Sequence, residues 1–180
     1  MAVALCLNLA AAVARAQTTA QTAADTYDSS EYLIKAGFIY NFTKLVDWPA
    51  GTFPQADSPI VIGILGTDPF GPIMDHVVEG KKINTHPVVV RRLKWGASLK
   101  DCNILFISSS EAVHLDDVLK SVKGTPVLTV GEMPGFAEHG GIIGLFLNND
   151  KVRFEVNVDA AKQANLNVSS RLLALAKIVQ

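Results

Sequence analysis

The stretch Cys102-Asn103-Ile104-Leu105-Phe106-Ile107-Ser108 constrains the fold more than any other part of the chain. Its apolar run is unbroken and too short for a helix, the pattern of a strand buried on both faces. Ser108-x-x-Glu111 follows as a capping-box pattern, and residues 112–122 carry Leu115, Val118, Leu119 and Val122 at helical spacing. Pro126-Val127-Leu128-Thr129-Val130 is strand-like again. Strand, turn, helix and strand make one βαβ unit, and the remaining segments can be arranged on either side of it.

Upstream, Ser30 and Glu31 suit the start of a helix, and Ile34, Phe38, Phe42 and Leu45 recur at i, i+4, i+8 and i+11. Tyr32, Ala36 and Ile39 widen this stripe enough that it needs cover on more than one side, and Pro49 bounds the helix. Residues 59–66 read as a buried strand, 67–71 as a turn into a short helix reaching Val78, and 80–85 as a polar connection. The alternation in residues 87–93 suits a strand near a sheet edge. Residues 141–147 and 151–157 form two strands joined by Asn148-Asn149-Asp150, residues that tolerate positive φ. A short helix after Asp159 and a last, broadly apolar helix capped by Ser169 or Ser170 complete the pattern. The expected architecture is α/β. It has a three-layer, mostly parallel sheet of about six strands, helices on both faces and an antiparallel C-terminal hairpin strand.

The first residues differ from the rest. Residues 1–14 are apolar and lead to Ala14-Arg15-Ala16, a small-x-small cleavage site, although no basic n-region precedes them. This predicts a secretory signal peptide over 1–16, a flexible Thr/Ala/Gln-rich leader over 17–29 and one exported domain over 30–180. Cys6 would leave with the signal. Cys102 would then be the one mature thiol, either a bridge between two chains or a small buried hydrophobe at a strand start. A net charge of −1 over 180 residues gives no electrostatic case for nucleic acid. No stretch within the domain is apolar enough to span a bilayer.

In an open α/β sheet, ligands sit beyond the carboxyl ends of the strands. Three loops meet there, and Asp68, Ser109, Ser110 and Glu132 are the side chains that would hold a polar ligand. Helix capping and turn geometry account for the same residues. Templates for catalysis fail one by one. Gly63, Gly66 and Gly71 are misspaced for a dinucleotide turn, no Walker lysine is present, and no serine sits in a Gly-x-Ser-x-Gly elbow. His76, His86, His114 and His139 show no metal-ligand spacing. Arg153 and Glu155 share one strand face and suit surface ion pairing. The reading is a non-enzymatic chain with no cofactor and no metal.

Several segments in order resemble one family: Lys35-Ala36-Gly37-Phe38-Ile39-Tyr40-Asn41-Phe42-Thr43-Lys44 with Trp48-Pro49, Gly66-Thr67-Asp68-Pro69-Phe70-Gly71, Val90-Arg91-Arg92-Leu93, the central strand with Cys102, Val152-Arg153-Phe154-Glu155-Val156-Asn157, and Ser169-Ser170-Arg171-Leu172-Leu173. Over roughly residues 30–179 the chain is similar to the YfiR family of secreted bacterial proteins. The resemblance implies a periplasmic repressor that dimerises. Such a protein binds the periplasmic sensor domain of an inner-membrane diguanylate cyclase, and its release raises cyclic di-GMP and promotes biofilm. It also implies redox control through disulfides, but here Cys102 lacks intramolecular partners. Trp48, Phe53, Leu166 and Val168, at loops and helix ends, are the expected partner contacts. The alternative is a periplasmic small-ligand receptor, which requires a concave pocket at the carboxyl-edge loops.

Overall fold

The computed structural model describes residues 30–179. The signal peptide expected over 1–16 and the leader expected over 17–29 lie outside the described residues. Helix α1 spans 30–45, followed by β1 (Val46–Asp47), β2 (Ile60–Leu65), α2 (Pro72–Val78), β3 (Lys82–Ile83), β4 (His86–Leu93) and β5 (Ile104–Ile107). A 3₁₀ turn (Ser109–His114) leads into α3 (Leu115–Val122), then β6 (Leu128–Gly131), β7 (Ile143–Asn148), β8 (Lys151–Asn157), α4 (Val158–Gln163), β9 (Asn167–Val168), α5 (Ser170–Leu173) and β10 (Lys177–Val179).

The main sheet runs β10-β8-β7-β6-β5-β2-β4-β3. From β4 to β7 every neighbouring pair is parallel, while β3–β4 and β7–β8 are antiparallel. The chain begins the parallel part at β2, steps to β4 on one side and then crosses to β5 on the other. The topological switch point therefore lies between β2 and β5. Alternation in β2 separates the two layers. Ile60, Ile62 and Ile64 face the core under α1, α2 and α5, built from Ala36, Ile39, Phe42, Met74 and Leu172. Val61 and Leu65 face a second core with Leu105, Ile107, Val118, Val122 and Phe136. With β5 buried at all four positions, the central strand is covered on both sides as its unbroken apolar run requires.

Eight strands stand where about six were expected, because short strands complete both ends. Residues 82–83 pair with β4 rather than forming a plain connection, and 177–179 leave the last helix to pair in parallel with β8. The last helix is accordingly one turn, capped by Ser169 accepting from the Leu172 amide. α4 is capped by Asn157, one residue before the helix, rather than by Asp159. The capping box after β5 is half formed. Ser108 accepts from the Ser110 amide, but Glu111 turns away to His114, so the segment tightens into a 3₁₀ turn before α3 begins. Asn149 and Asp150 both take positive φ in the β7–β8 hairpin, as the sequence required. The buried face of α1 centres on Ala36, Ile39 and Phe42, so Ile34, placed by periodicity at its middle, is 47% exposed.

Candidate functional site

The switch point is filled by the protein's own side chains. Gly66 directly follows β2 at φ 90°, a conformation glycine adopts without strain. A Cβ there would lie 2.4 Å from Ser110 Oγ and 2.8 Å from Glu111 Cγ. Ser110 Oγ accepts from the Thr67 amide at 2.9 Å, sealing the two loops together. Asp68 accepts from the Phe70 and Gly71 amides at 2.8 and 3.2 Å and pairs with Arg92 Nε at 2.8 Å. Arg92 also bonds Asp75 at 3.0 Å and holds that carboxyl below the usual carboxylate range. Of the four expected ligand-edge residues, Asp68 and Ser110 therefore serve turn and loop closure.

Ser109 and Glu132 do come together. They line an open groove of about 560 Å³ beyond β6 and β7, with Glu31, Tyr32 and Lys35 of α1, Glu138, Glu155 and Lys177. Its central cation is Lys35, whose side chain is only 6% exposed. Nζ lies 2.6 Å from Glu132 Oε2, also pairs with Glu31 and sits 4.6 Å from the centre of the Tyr32 ring. The Tyr32 hydroxyl donates to Glu132 Oε1 at 3.3 Å. Burial by itself lowers the pKa of Lys35, but hydrogen bonds and charge from Glu132 and Glu31 together outweigh it and hold the ammonium above the ordinary lysine value. Across the groove Glu155 has the ion pair with a neighbour that its strand face suggested, accepting from Lys177 Nζ at 3.0 Å, but is itself buried rather than at the surface.

Sequence reasoning missed Lys35, Glu31, Tyr32 and Lys177. The signal available was a lysine within the apolar stripe of α1, four residues after a glutamate. Its partner Glu132 is 97 positions away and has no local signature.

The expected contact residues lie together near the β1–β9 pair, where Val46 faces Val168. Leu166 and Val168 are part of the core, while Trp48 and Phe53 pack against it partly buried. Trp48 Nε1 donates to the Pro126 carbonyl at 3.1 Å, and the Phe53 ring lies tilted by 30° against His86 with ring centres 4.3 Å apart. The exposed large apolar side chains are elsewhere, notably Leu33 and Ile34 on α1 and Leu175 and Ile178 near the C-terminal end. Trp95, also exposed, stacks on His114 at 4.1 Å. Cys102 is buried in the second core and burial pushes its thiol up to about 11, so a bridge to another chain would require that core to open. Among the described residues no group of His, Cys, Asp and Glu is disposed to hold a metal, and no helix is long and apolar enough to cross a membrane.

A mixed sheet whose switch point is plugged, beside a groove of internally paired charges, defines a three-layer α/β protein. Residues 32–177 match the family described as YfiR/HmsC-like, and the chain belongs to that family, which is regulatory rather than catalytic. No match among curated proteins was found.

Proposed function

We propose that this chain is a periplasmic regulator that binds and represses the periplasmic sensor region of an inner-membrane diguanylate cyclase. The family match over residues 32–177 carries this reading. Two further observations support it. The carboxyl edge is occupied by capping and paired side chains rather than by an assembled nucleophile, and apolar residues of α1 and the C-terminal end are left at the surface. In this reading the chain is exported by its N-terminal signal and acts as a homodimer. Trp48 and Phe53 contact the partner from the edge beside β1, and the buried Leu166 and Val168 act through the surface above them.

Deleting the gene is expected to raise cellular cyclic di-GMP and biofilm. The epitope-tagged mature chain should retain a membrane protein bearing a cyclase output domain. Unchanged cyclic di-GMP together with no membrane partner would remove the reading. A small-ligand receptor is the second reading, favoured by the groove that Ser109 and Glu132 line. It predicts that a dialysable component of periplasmic extract raises the melting temperature of the protein, and that Ser109→Ala abolishes the rise.

A further inference from the structure

We infer that the β3–β4 end of the sheet, with Trp95 beside it, seats the protein on the surface of an anionic phospholipid bilayer. The inference goes beyond the regulatory reading and does not need it.

Charge is unevenly placed along this chain. Residues 80–100 hold six of its 16 lysine and arginine residues, Lys81, Lys82, Arg91, Arg92, Lys94 and Lys100, and none of its 17 aspartate and glutamate residues. The near-neutral total conceals a basic region, and a region of one sign attracts a surface of the other. Folding keeps these residues in one place, because β3 and β4 are neighbours at one end of the eight-stranded sheet. Arg92 is taken up by Asp68 and Asp75. The other five cations make no ion pair among the described residues.

Register sets which way they point. Arg91 is aligned with Gly63, between Val61 and Leu65 of the second core, and Lys82 is aligned with Pro87, four residues before Arg91 on the same strand. Both therefore lie on the α3 face of the sheet. That face is thinly covered at this end, where Val89 and Leu93 are half-buried and Arg91 is exposed. Lys94 follows β4 and is exposed, and Lys100 lines a hollow of about 200 Å³ with Trp95, Leu65 and Val118. Asp101 and Asp117 border these cations without pairing to them, so four positive charges stand against two negative ones. Further round α3, Asp116 shares a second hollow with Lys120 and Lys123.

Charge alone would suit an acidic protein as well. Trp95 favours the bilayer. Its indole is 50% exposed although His114 stacks on the ring at 4.1 Å, and Val113, next to that histidine, is 87% exposed. An indole among lysines and arginines matches a lipid interface, with the ring at headgroup level and the cations at the phosphates.

The test uses the full mature chain with phosphatidylcholine vesicles, either plain or containing one-third phosphatidylglycerol. The chain is expected to partition onto the anionic vesicles about tenfold more strongly or better, and added salt should release it. Each cation near an anionic surface contributes about fivefold to binding, so Arg91→Gln/Lys94→Gln should weaken it about 25-fold. Lys151→Gln/Arg153→Gln, an exposed pair in β8 towards the other end of the sheet, removes the same charge and should change binding by less than about twofold. Indole emission should shift to the blue on anionic vesicles. Trp95→Phe leaves Trp48 as the remaining indole and should abolish the shift. Equal partition onto both vesicles, none onto either, an equal loss from the β8 pair, or a shift that persists in Trp95→Phe would overturn the inference. Retention on poly-glutamate with none on vesicles would overturn it too, by giving the patch to an acidic protein. No cyclase is present in this assay, so its failure leaves the cyclic di-GMP experiment standing, and the converse holds.

Discussion

Replacing Lys35 by methionine tests whether the cation at the centre of the groove holds α1 to the sheet. The change keeps the length and apolar stem of the side chain and removes only the ammonium. Two carboxylates then face each other without a cation, Glu132 and Glu31, with side chains 12% and 15% exposed. Breaking a buried pair by removing one partner costs about 3–5 kcal/mol. Both carboxylates keep some access to water, so the lower end, about 3 kcal/mol, is expected here. For a domain of this size that corresponds to a fall of roughly 6–12 °C in Tm. Glu132→Gln should cost less, about 1–2 kcal/mol, because Lys35 keeps Glu31. The double variant Lys35→Met/Glu132→Gln should be more stable than the sum of the single changes implies, since it removes one of the two uncompensated carboxylates.

The pH dependence fixes the sign independently. The pKa of Lys35 is raised above its ordinary value in the folded state. Its contribution is therefore complete below about pH 10.5, the ordinary lysine value, and is lost as pH rises through the folded value. Urea unfolding of the wild type and Lys35→Met at pH 7 and in a strongly alkaline series measures both. The gap between them should be widest at pH 7 and narrow as Lys35 deprotonates. A Lys35→Met variant within 0.5 kcal/mol of the wild type at pH 7, or a gap that widens with alkalinity, would refute the reasoning.

Three further outcomes follow from the packing. A Cβ at Gly141 would lie 2.1 Å from the Phe136 ring and one at Gly131 2.5 Å from it, so Gly141→Ala should destabilise by about 1–3 kcal/mol in urea unfolding and Phe136→Leu should relieve part of that loss. Phe136→Ala alone, at a fully buried ring, should cost about 3–5 kcal/mol by the same assay. Cys102 in the native protein should react with a thiol reagent at pH 8 far more slowly than in urea, and equal rates would contradict its burial.

How much of this was legible in the sequence depends on how local each cause is. The βαβ unit around Ile104, Leu105, Phe106 and Ile107 was legible because an unbroken apolar run, a serine cap and a helical stripe are neighbours in the chain. The Asn149–Asp150 turn was legible for the same reason, and the structure shows positive φ at both positions. Short strands were not. β3 consists of Lys82 and Ile83, too few residues for alternation to register, and acquires its conformation from β4. β10 is hidden in the sequence because Leu172, Leu173, Leu175, Ala176, Ile178 and Val179 together suit the broad apolar face of a helix. Yet the β-branched pair at its end marks the change, and three parallel pairings with β8 settle it.

The groove shows the limit most clearly. Glu132 was picked out as a loop residue at a sheet edge, but its meaning comes from Lys35, and nothing in the intervening residues announces the pair. Lys35 sits in the apolar stripe because that position faces the end of β6, where a carboxylate waits, and a charged side chain is retained in such a place only when paired. Lys35, a lysine on the buried face of α1, is thus the residue that fixes where the helix lies along the sheet. Through α1, the same contact positions Phe38 and Leu45 beside Leu172 and Leu175, forming the apolar groove next to β10. Loss of the Lys35 ammonium should therefore loosen that surface as well as the fold, so hydrogen exchange along residues 38–45 should be faster in Lys35→Met than in the wild type even at temperatures where the variant is fully folded.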